Sequence, residues 1–155
     1  MEPYFNKMTP DGYAEIEEEI KKLKLDRPSK IEALAAARAL GDLSENAEYS
    51  SAKRDLRRLE GRLRFLNKKL QYAQIVTPSD SDVVEIGKTI TIQFLDDEEE
   101  KTYLVVGKQE ANISAGKLSF NSPLGAAVMN HKVNDIVNIS SPDSTYAVKI
   151  IQITI

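Results

Sequence analysis

The 155-residue chain contains no cysteine, no tryptophan and a single histidine. Without cysteine it forms neither disulfides nor thiolate metal sites, and it has no thiol nucleophile. The lone His131 excludes a metal site of several histidines within one chain. It lies in a polar stretch, where we expect no chemical role. No apolar run approaches the ~20 residues of a membrane span, and no signal-peptide pattern begins the chain. We therefore expect a cytoplasmic protein with no membrane partner.

The chain also lacks an excess of positive charge, since its net charge is −3. This argues against a free nucleic-acid binder. The total nevertheless hides an asymmetry. Residues 1–76 hold 15 Lys/Arg against 13 Asp/Glu, whereas residues 77–155 hold 6 against 11. The first part is rich in helix formers and the second in β-branched and turn residues. We predict two domains, 1–76 and 83–155, joined by a linker at 77–82.

The first domain is predicted to be an antiparallel helical hairpin. Thr9 and Pro10 are typical of a helix start, as N-cap and first helical residue. An apolar stripe follows, and Pro28 is predicted to interrupt that helix. Gly41 begins the connection between the arms. The second arm has a heptad seam, which is typical of a coiled coil: Leu56, Leu59, Leu63, Leu66, Leu70 and Ala73. By itself the seam also fits a dimerisation or adaptor coiled coil.

Acidic residues mark the predicted tip of the hairpin, at residues 41–48. Asp42, Glu45 and Glu48 lie within seven residues. Clustered carboxylates suit a hard cation such as Mg²⁺, although two alone make an open site that needs ligands from elsewhere. The alternative is a solvated acidic helix N-terminus, where acids complement the helix dipole.

A basic stretch follows the tip directly. Residues 53–69 contain eight Lys/Arg against two acids, Asp55 and Glu60. Arg38, on the other arm, could join it near the tip. This stretch could hold a phosphate backbone beside a metal-binding group. It could equally be the solvated flank of a coiled coil that pairs with acids near the base of the first arm.

The tip and its flanks resemble a known family. The sequence GDLSENAEY at residues 41–49, with Arg27-Pro28 upstream and Glu60-Gly61-Arg62 downstream, is similar to bacterial transcript-cleavage factors of the Gre family, GreA type. Residues 8–13 and 121–125 extend the resemblance over nearly the whole chain.

The resemblance implies a function. In Gre factors the coiled coil enters the secondary channel of RNA polymerase, which then cleaves the 3′ end of its own backtracked RNA with Mg²⁺ held jointly by both proteins. Asp42 and Glu45 would then be the catalytic metal ligands, in a protein that is itself no enzyme. Ser44 and Asn46 would support the tip. The residues expected to bind the nascent RNA or the channel are Arg38, Lys53, Arg54, Arg57 and Arg58. We expect a monomer when bound to bacterial RNA polymerase.

The second domain is predicted to be α+β, and the order of its elements resembles the FKBP-like domain of the family. Strands are expected near 83–94, 102–106, 117–120, 133–139 and 146–155. The acidic run 96–100 is predicted to be a solvated loop, with polymerase docking as the alternative. Ser122 and Pro123 should begin a short helix and are candidate docking residues.

The sequence is compatible with three functions. The chain could stimulate transcript cleavage, bind the same channel and only inhibit or modulate polymerase, or act as an unrelated coiled-coil adaptor. The presence of both Asp42 and Glu45 favours the first, with short RNA fragments released. Oligomeric state in isolation stays open.

Overall fold

The protein is described by a computed structural model that covers residues 6–42 and 46–155. Its contacts divide it into two compact units. One unit comprises residues 13–72 and holds most of two long helices. The other comprises residues 6–12 and 73–155 and holds the strands. The predicted class, a helical hairpin followed by an α+β domain, is confirmed.

Two long helices, α1 (Pro10–Arg38) and α2 (Ala47–Gln71), form the hairpin. The predicted start of α1 is confirmed, because the hydroxyl of Thr9 accepts a hydrogen bond from the Gly12 N–H at 3.1 Å. That bond satisfies one of the N–H groups that a helix start leaves without a partner.

The heptad seam faces the other arm, as predicted. Leu59 and Leu66 are buried, and Leu56, Leu63 and Leu70 are half-buried. Ala73, predicted to end the seam, instead lies beyond the helix in a short strand. On the first arm Ile20 and Ala37 are buried. Two ion pairs join the arms, Arg27–Glu60 at 3.1 Å and Arg62–Glu19 at 3.0 Å. The arms are therefore antiparallel.

The prediction that Pro28 interrupts the first helix is wrong. Helix α1 runs continuously through Pro28. Proline lacks the N–H that would bind the carbonyl of Lys24, but both residues are exposed, so water can solvate that carbonyl. The cost is therefore limited, and the flanking residues, most of which are helix formers, continue the helix on both sides.

The second unit is built on a five-stranded sheet. Its strands are β3 (Thr89–Phe94), β4 (Glu100–Val106), β5 (Lys117–Ser119), β6 (Ile136–Ser140) and β7 (Thr145–Thr154). They lie side by side in the order β5-β4-β3-β7-β6. All neighbours pair antiparallel except β4 and β5, which are parallel. Single turns of 3-10 helix at Lys108–Glu110 and Ile113–Ala115 connect those two parallel strands. Residues 96–99 of the acidic run form the loop before β4, as predicted, whereas Glu100 begins that strand.

A β-bulge shifts the pairing register of strand β7. Ile90 of β3 lies opposite Ile153, but Ile92 lies opposite Ile150 because the register shifts between Thr91 and Ile92. The one extra residue on β7 places Ile150 and Ile153 on the same face of the sheet despite their odd spacing. Ile90, Ile92 and Ile150 are fully buried and form part of the core.

Two predicted strands are shorter than expected. The strand expected near 83–94 begins only at Thr89, because the chain turns at residues 86–87. The pattern predicted a strand from 133, whereas β6 begins at Ile136. Asn134 adopts a φ of +76°, and the carboxylate of Asp135 accepts from the Lys132 N–H at 2.9 Å. This turn chemistry is satisfied locally, so the backbone joins the sheet only after it.

The unit boundaries differ from the predicted domain boundaries. Strand β1 (Asn6–Met8) pairs in parallel with β2 (Ala73–Ile75), and both belong to the unit of the sheet. The segment 77–82, predicted to be a linker, is held to the same unit. The N–H and hydroxyl of Ser79 donate to the carboxylate of Glu85 at 2.8 and 2.7 Å. Composition marked the change from helix to strand but carried no sign of these pairings between distant residues.

Within the described ranges, no helix is both long and apolar enough to cross a bilayer.

Candidate functional site

The connection between the arms begins with a tight turn. Helix α1 ends at Arg38, and the N–H of Leu40 donates to the carbonyl of Ala37 at 3.2 Å. Gly41 follows with a φ of +112°, a conformation that residues with a Cβ rarely adopt. Helix α2 begins again at Ala47. The predicted role of Gly41 in turning the chain is consistent with this backbone.

Asn46 joins the two arms across this turn. Its Oδ1 accepts from the Tyr49 N–H at 3.0 Å and so caps α2, while its Nδ2 donates to the carbonyl of Ala37 at 2.8 Å. The Tyr49 N–H lies at a helix start and would otherwise lack a helical partner. The Ala37 carbonyl lies at a helix end and accepts from Asn46 in addition to the Leu40 N–H. The side chain predicted to support the tip thus fixes the start of one helix to the end of the other.

The carboxylates of the tip are only partly described. Asp42 is exposed. Glu45 and Ser44 lie outside the described residues, so their assignments stay predictions. Within the described ranges, no cluster of three or more carboxylate or histidine groups could hold a metal ion by itself. Glu48 lies in the first turn of α2, where it complements the helix dipole.

Two of the predicted cationic residues meet at one aromatic ring. The Cζ of Arg38 lies 5.8 Å from the centre of the Tyr49 ring, and the Nζ of Lys53 lies 5.8 Å from the same centre. Arg38 comes from α1 and Lys53 from α2. No role for Tyr49 is predicted from the sequence, although its i, i+4 spacing to Lys53 places the two on one face of α2.

The arginines further along α2 differ in their partners. The guanidinium of Arg62 binds both carboxylate oxygens of Glu19, so the predicted pairing with acids near the base of the first arm is confirmed there. Arg54, Arg57 and Arg58 are exposed and form no ion pair with any described residue. The arginines nearer the tip therefore carry charge that the described part of the hairpin does not neutralise.

The two candidate docking residues begin a short helix, α3 (Pro123–Val128), as predicted. The hydroxyl of Ser122 accepts from the Gly125 N–H at 3.1 Å and donates to the carbonyl of Ser119 at 2.8 Å. Its hydrogen-bonding capacity is thus used inside the domain. Pro123 is exposed. Their role in docking stays a prediction.

Known proteins match both halves of the chain. The family model described as "Transcription elongation factor, N-terminal" matches residues 6–75, and "Transcription elongation factor, GreA/GreB, C-term" matches residues 78–155. The chain is 61% identical over 153 residues to transcription elongation factor GreA 1 of Lactiplantibacillus plantarum, covering 99% of this chain and 98% of that one. It is 41% identical over 150 residues to transcription elongation factor GreA of Thermodesulfovibrio yellowstonii, covering 95% of each.

Among solved structures, the chain is similar to the GreA factor homolog 1 protein of Thermus thermophilus. The TM-score is 0.45 and the identity 22%, over 97% of this chain and 99% of that one. The family assignment rests on the sequence matches, which span the helical hairpin and the sheet domain alike. The chain belongs to the GreA/GreB family of transcription elongation factors.

Proposed function

We propose that this elongation factor binds RNA polymerase, inserts its hairpin into the secondary channel and stimulates Mg²⁺-dependent cleavage of the 3′ end of backtracked RNA. The observation that carries the proposal is the composition of the tip. An exposed carboxylate, Asp42, lies four residues beyond Arg38, a cation without an ion pair among the described residues. A carboxylate beside unneutralised cations is what a metal ion and a phosphate backbone require together.

The donor chemistry of the tip fits a shared Mg²⁺ and does not fit a resident one. Carboxylate oxygens are the ligands that Mg²⁺ prefers, but Mg²⁺ demands about six ligands. Asp42 and Glu45 would hold the ion only together with ligands of the polymerase. When bound there, the ion would polarise the phosphodiester and activate the attacking water. The factor would contribute two ligands and no complete active site, so we propose that the polymerase is the enzyme.

The role of Asn46 in this function is to fix the ends of the tip segment. Its bonds to Tyr49 and Ala37 close the segment at both ends. A segment closed in this way has fewer conformations to lose when it binds, so its carboxylates can be placed at lower entropic cost.

The test uses a backtracked elongation complex with labelled RNA. We expect the intact protein to shorten the RNA in Mg²⁺. Asp42→Asn and Glu45→Gln should each slow this shortening by at least roughly 100-fold, the upper range for residues that support a bound metal only indirectly. Both replacements keep the size of the side chain and remove only its charge.

Glu48→Gln is the matched control, because it makes the same charge change at the start of α2 on a residue with no proposed ligand role. It should leave cleavage near that of the intact protein. Failure of the intact protein to shorten the RNA would contradict the proposal, and binding without cleavage would instead favour a factor that only modulates polymerase. Full cleavage by both carboxylate variants would contradict the ligand assignment alone.

A further inference from the structure

The ring of Tyr49 brings together cations from both arms of the hairpin. Arg38 and Lys53 each lie 5.8 Å from its centre. A cation within about 6 Å of an aromatic face is attracted by the ring. The two side chains are therefore held close to a common point although they belong to different helices.

Holding two like charges at one ring is unfavourable unless something compensates it. The π electrons of the ring supply part of that compensation. Neither Arg38 nor Lys53 forms an ion pair with an acid in the described part of the chain. The pair thus keeps a net positive charge that an anion from outside the protein can complement.

A second ring on α2 has the same two-cation geometry, but one of its cations is paired with an acid. Phe65 also has two cations over it, Arg62 at 5.3 Å and Lys69 at 5.0 Å. Arg62 is neutralised by Glu19, in a bidentate pair. The two rings share one geometry but differ in their acidic partners. Of these two rings, only the one beside the tip keeps both cations without an acidic partner among the described residues.

We propose that Tyr49 is a positioning residue, whose ring holds Arg38 and Lys53 together as a paired cationic grip for the phosphate backbone of the extruded RNA. This inference rests on the proposed function, because it takes RNA as the anion. The backbone of Tyr49 is fixed by its N–H bond to Asn46, and its side chain is half-buried, so the ring is a stable base for the longer cationic side chains.

The decisive measurement is the preference of the factor for a backtracked over a non-backtracked elongation complex. It uses the full chain, with Ca²⁺ replacing Mg²⁺ so that the RNA stays intact. The extruded RNA is the difference between the two complexes. Tyr49→Leu should reduce this preference roughly tenfold, the size expected from two exposed cation–π contacts. Tyr49→Phe keeps the ring and should retain the preference.

Phe65→Leu is the matched control. It removes a ring with two cations from the same helix at a place that the proposal does not use, and it should keep the preference of the intact protein. Circular dichroism of all variants checks that the hairpin is folded. A Tyr49→Leu variant that is folded and keeps the full preference would overturn the inference.

A double-mutant cycle separates positioning from a direct or merely structural role. In a background of Arg38→Ala with Lys53→Ala, Tyr49→Leu should have little further effect, because the ring acts through the two cations. An undiminished effect in that background would overturn the inference. The same proteins assayed in Mg²⁺ report the proposed function separately. A factor that prefers the backtracked complex through Tyr49 and yet leaves the RNA uncut would support the grip and contradict the cleavage function.

Discussion

Lys88 is a fully buried charged residue of the sheet domain. Its side chain is 1% exposed, and its Nζ donates to the carbonyl oxygens of Ser81 and Val83 at 2.7 and 2.9 Å. A buried ammonium is tolerated only when its donors are satisfied. Here they are satisfied by the segment that precedes β3, so this residue and its neighbour Glu85 fasten residues 79–83 to the domain.

Glu85 makes that attachment dependent on pH. Hydrogen bonds from Ser81 and Ser79, with the charge of Lys88 as a smaller contribution, lower the pKa of the Glu85 carboxyl from 4.5 to about 2. Because the folded-state pKa is depressed, the stabilisation is fully present above the unfolded value near 4.5. It is lost as the pH falls through about 2.

We therefore expect Glu85→Gln to lower the free energy of unfolding at neutral pH, with the difference from the intact protein shrinking between pH 4.5 and 2. Denaturant unfolding at a series of pH values measures this. Glu100→Gln, at the exposed start of β4, is the control, because it makes the same charge change without removing the hydrogen bonds from Ser79 and Ser81. A Glu85 difference that stays constant across the acid range would contradict the assignment.

At the scale of elements, local sequence signals predicted helix starts better than helix interruptions. Thr9 and Ser122 cap α1 and α3 as their sequence context indicated. Pro28 did not stop α1. A cap is satisfied by atoms within three residues, so sequence is enough to predict it. Whether a proline breaks a helix depends on the packing of the turns around it, which sequence alone does not give.

Replacement of Pro28 should therefore strengthen α1. Pro28→Ala restores an N–H donor to the carbonyl of Lys24 and should stabilise the helix by about 1–3 kcal/mol, up to the usual cost of proline in a helix interior. Hydrogen exchange of the amides around residue 28 measures the effect. Pro10→Ala is the control, because the first helical position needs no N–H. Equal exchange rates in the intact protein and Pro28→Ala would show that the helix already accommodates proline at no cost.

At the scale of the whole molecule, residues 6–12 belong to the same compact unit as residues 73–155. The N–H and the hydroxyl of Thr9 both donate to the carboxylate of Glu110. Gly107 packs directly against strand β1, since a Cβ there would lie 1.9 Å from the carbonyl oxygen of Lys7. The sheet unit is therefore assembled from two segments that are far apart in sequence.

Two glycine substitutions should have opposite effects on stability. Gly107→Ala forces β1 away and should destabilise the protein by about 1–3 kcal/mol. Gly61→Ala lies within α2, where the nearest atom is the Arg64 guanidinium at 3.8 Å, and should stabilise it by up to about 1 kcal/mol. Denaturation midpoints compare the two. A neutral Gly107→Ala would show that β1 is not packed against residue 107 in solution.

Much of the candidate site could be predicted from sequence, because a contiguous motif carries it. Asp42, Asn46 and the basic residues lie within one segment, and two apolar-striped arms joined at Gly41 predict the hairpin that presents them. The role of Tyr49 could not be derived in the same way. Its contact with Arg38 crosses from one helix to the other, and periodicity within a helix does not specify the rotation of one arm against its partner.

The sequence by itself determined the two long helices, the order of the five strands of the sheet and the caps at Thr9 and Ser122, because these depend on interactions over a few residues. Only the tertiary structure decided that β1 pairs with β2, that Asn46 binds the carbonyl of Ala37, and that the segment after Val76 is fastened by Glu85 and Lys88. Such contacts depend on which distant backbone and side-chain groups are brought within hydrogen-bonding distance. Packing of the whole chain sets that distance, and composition and periodicity leave it open.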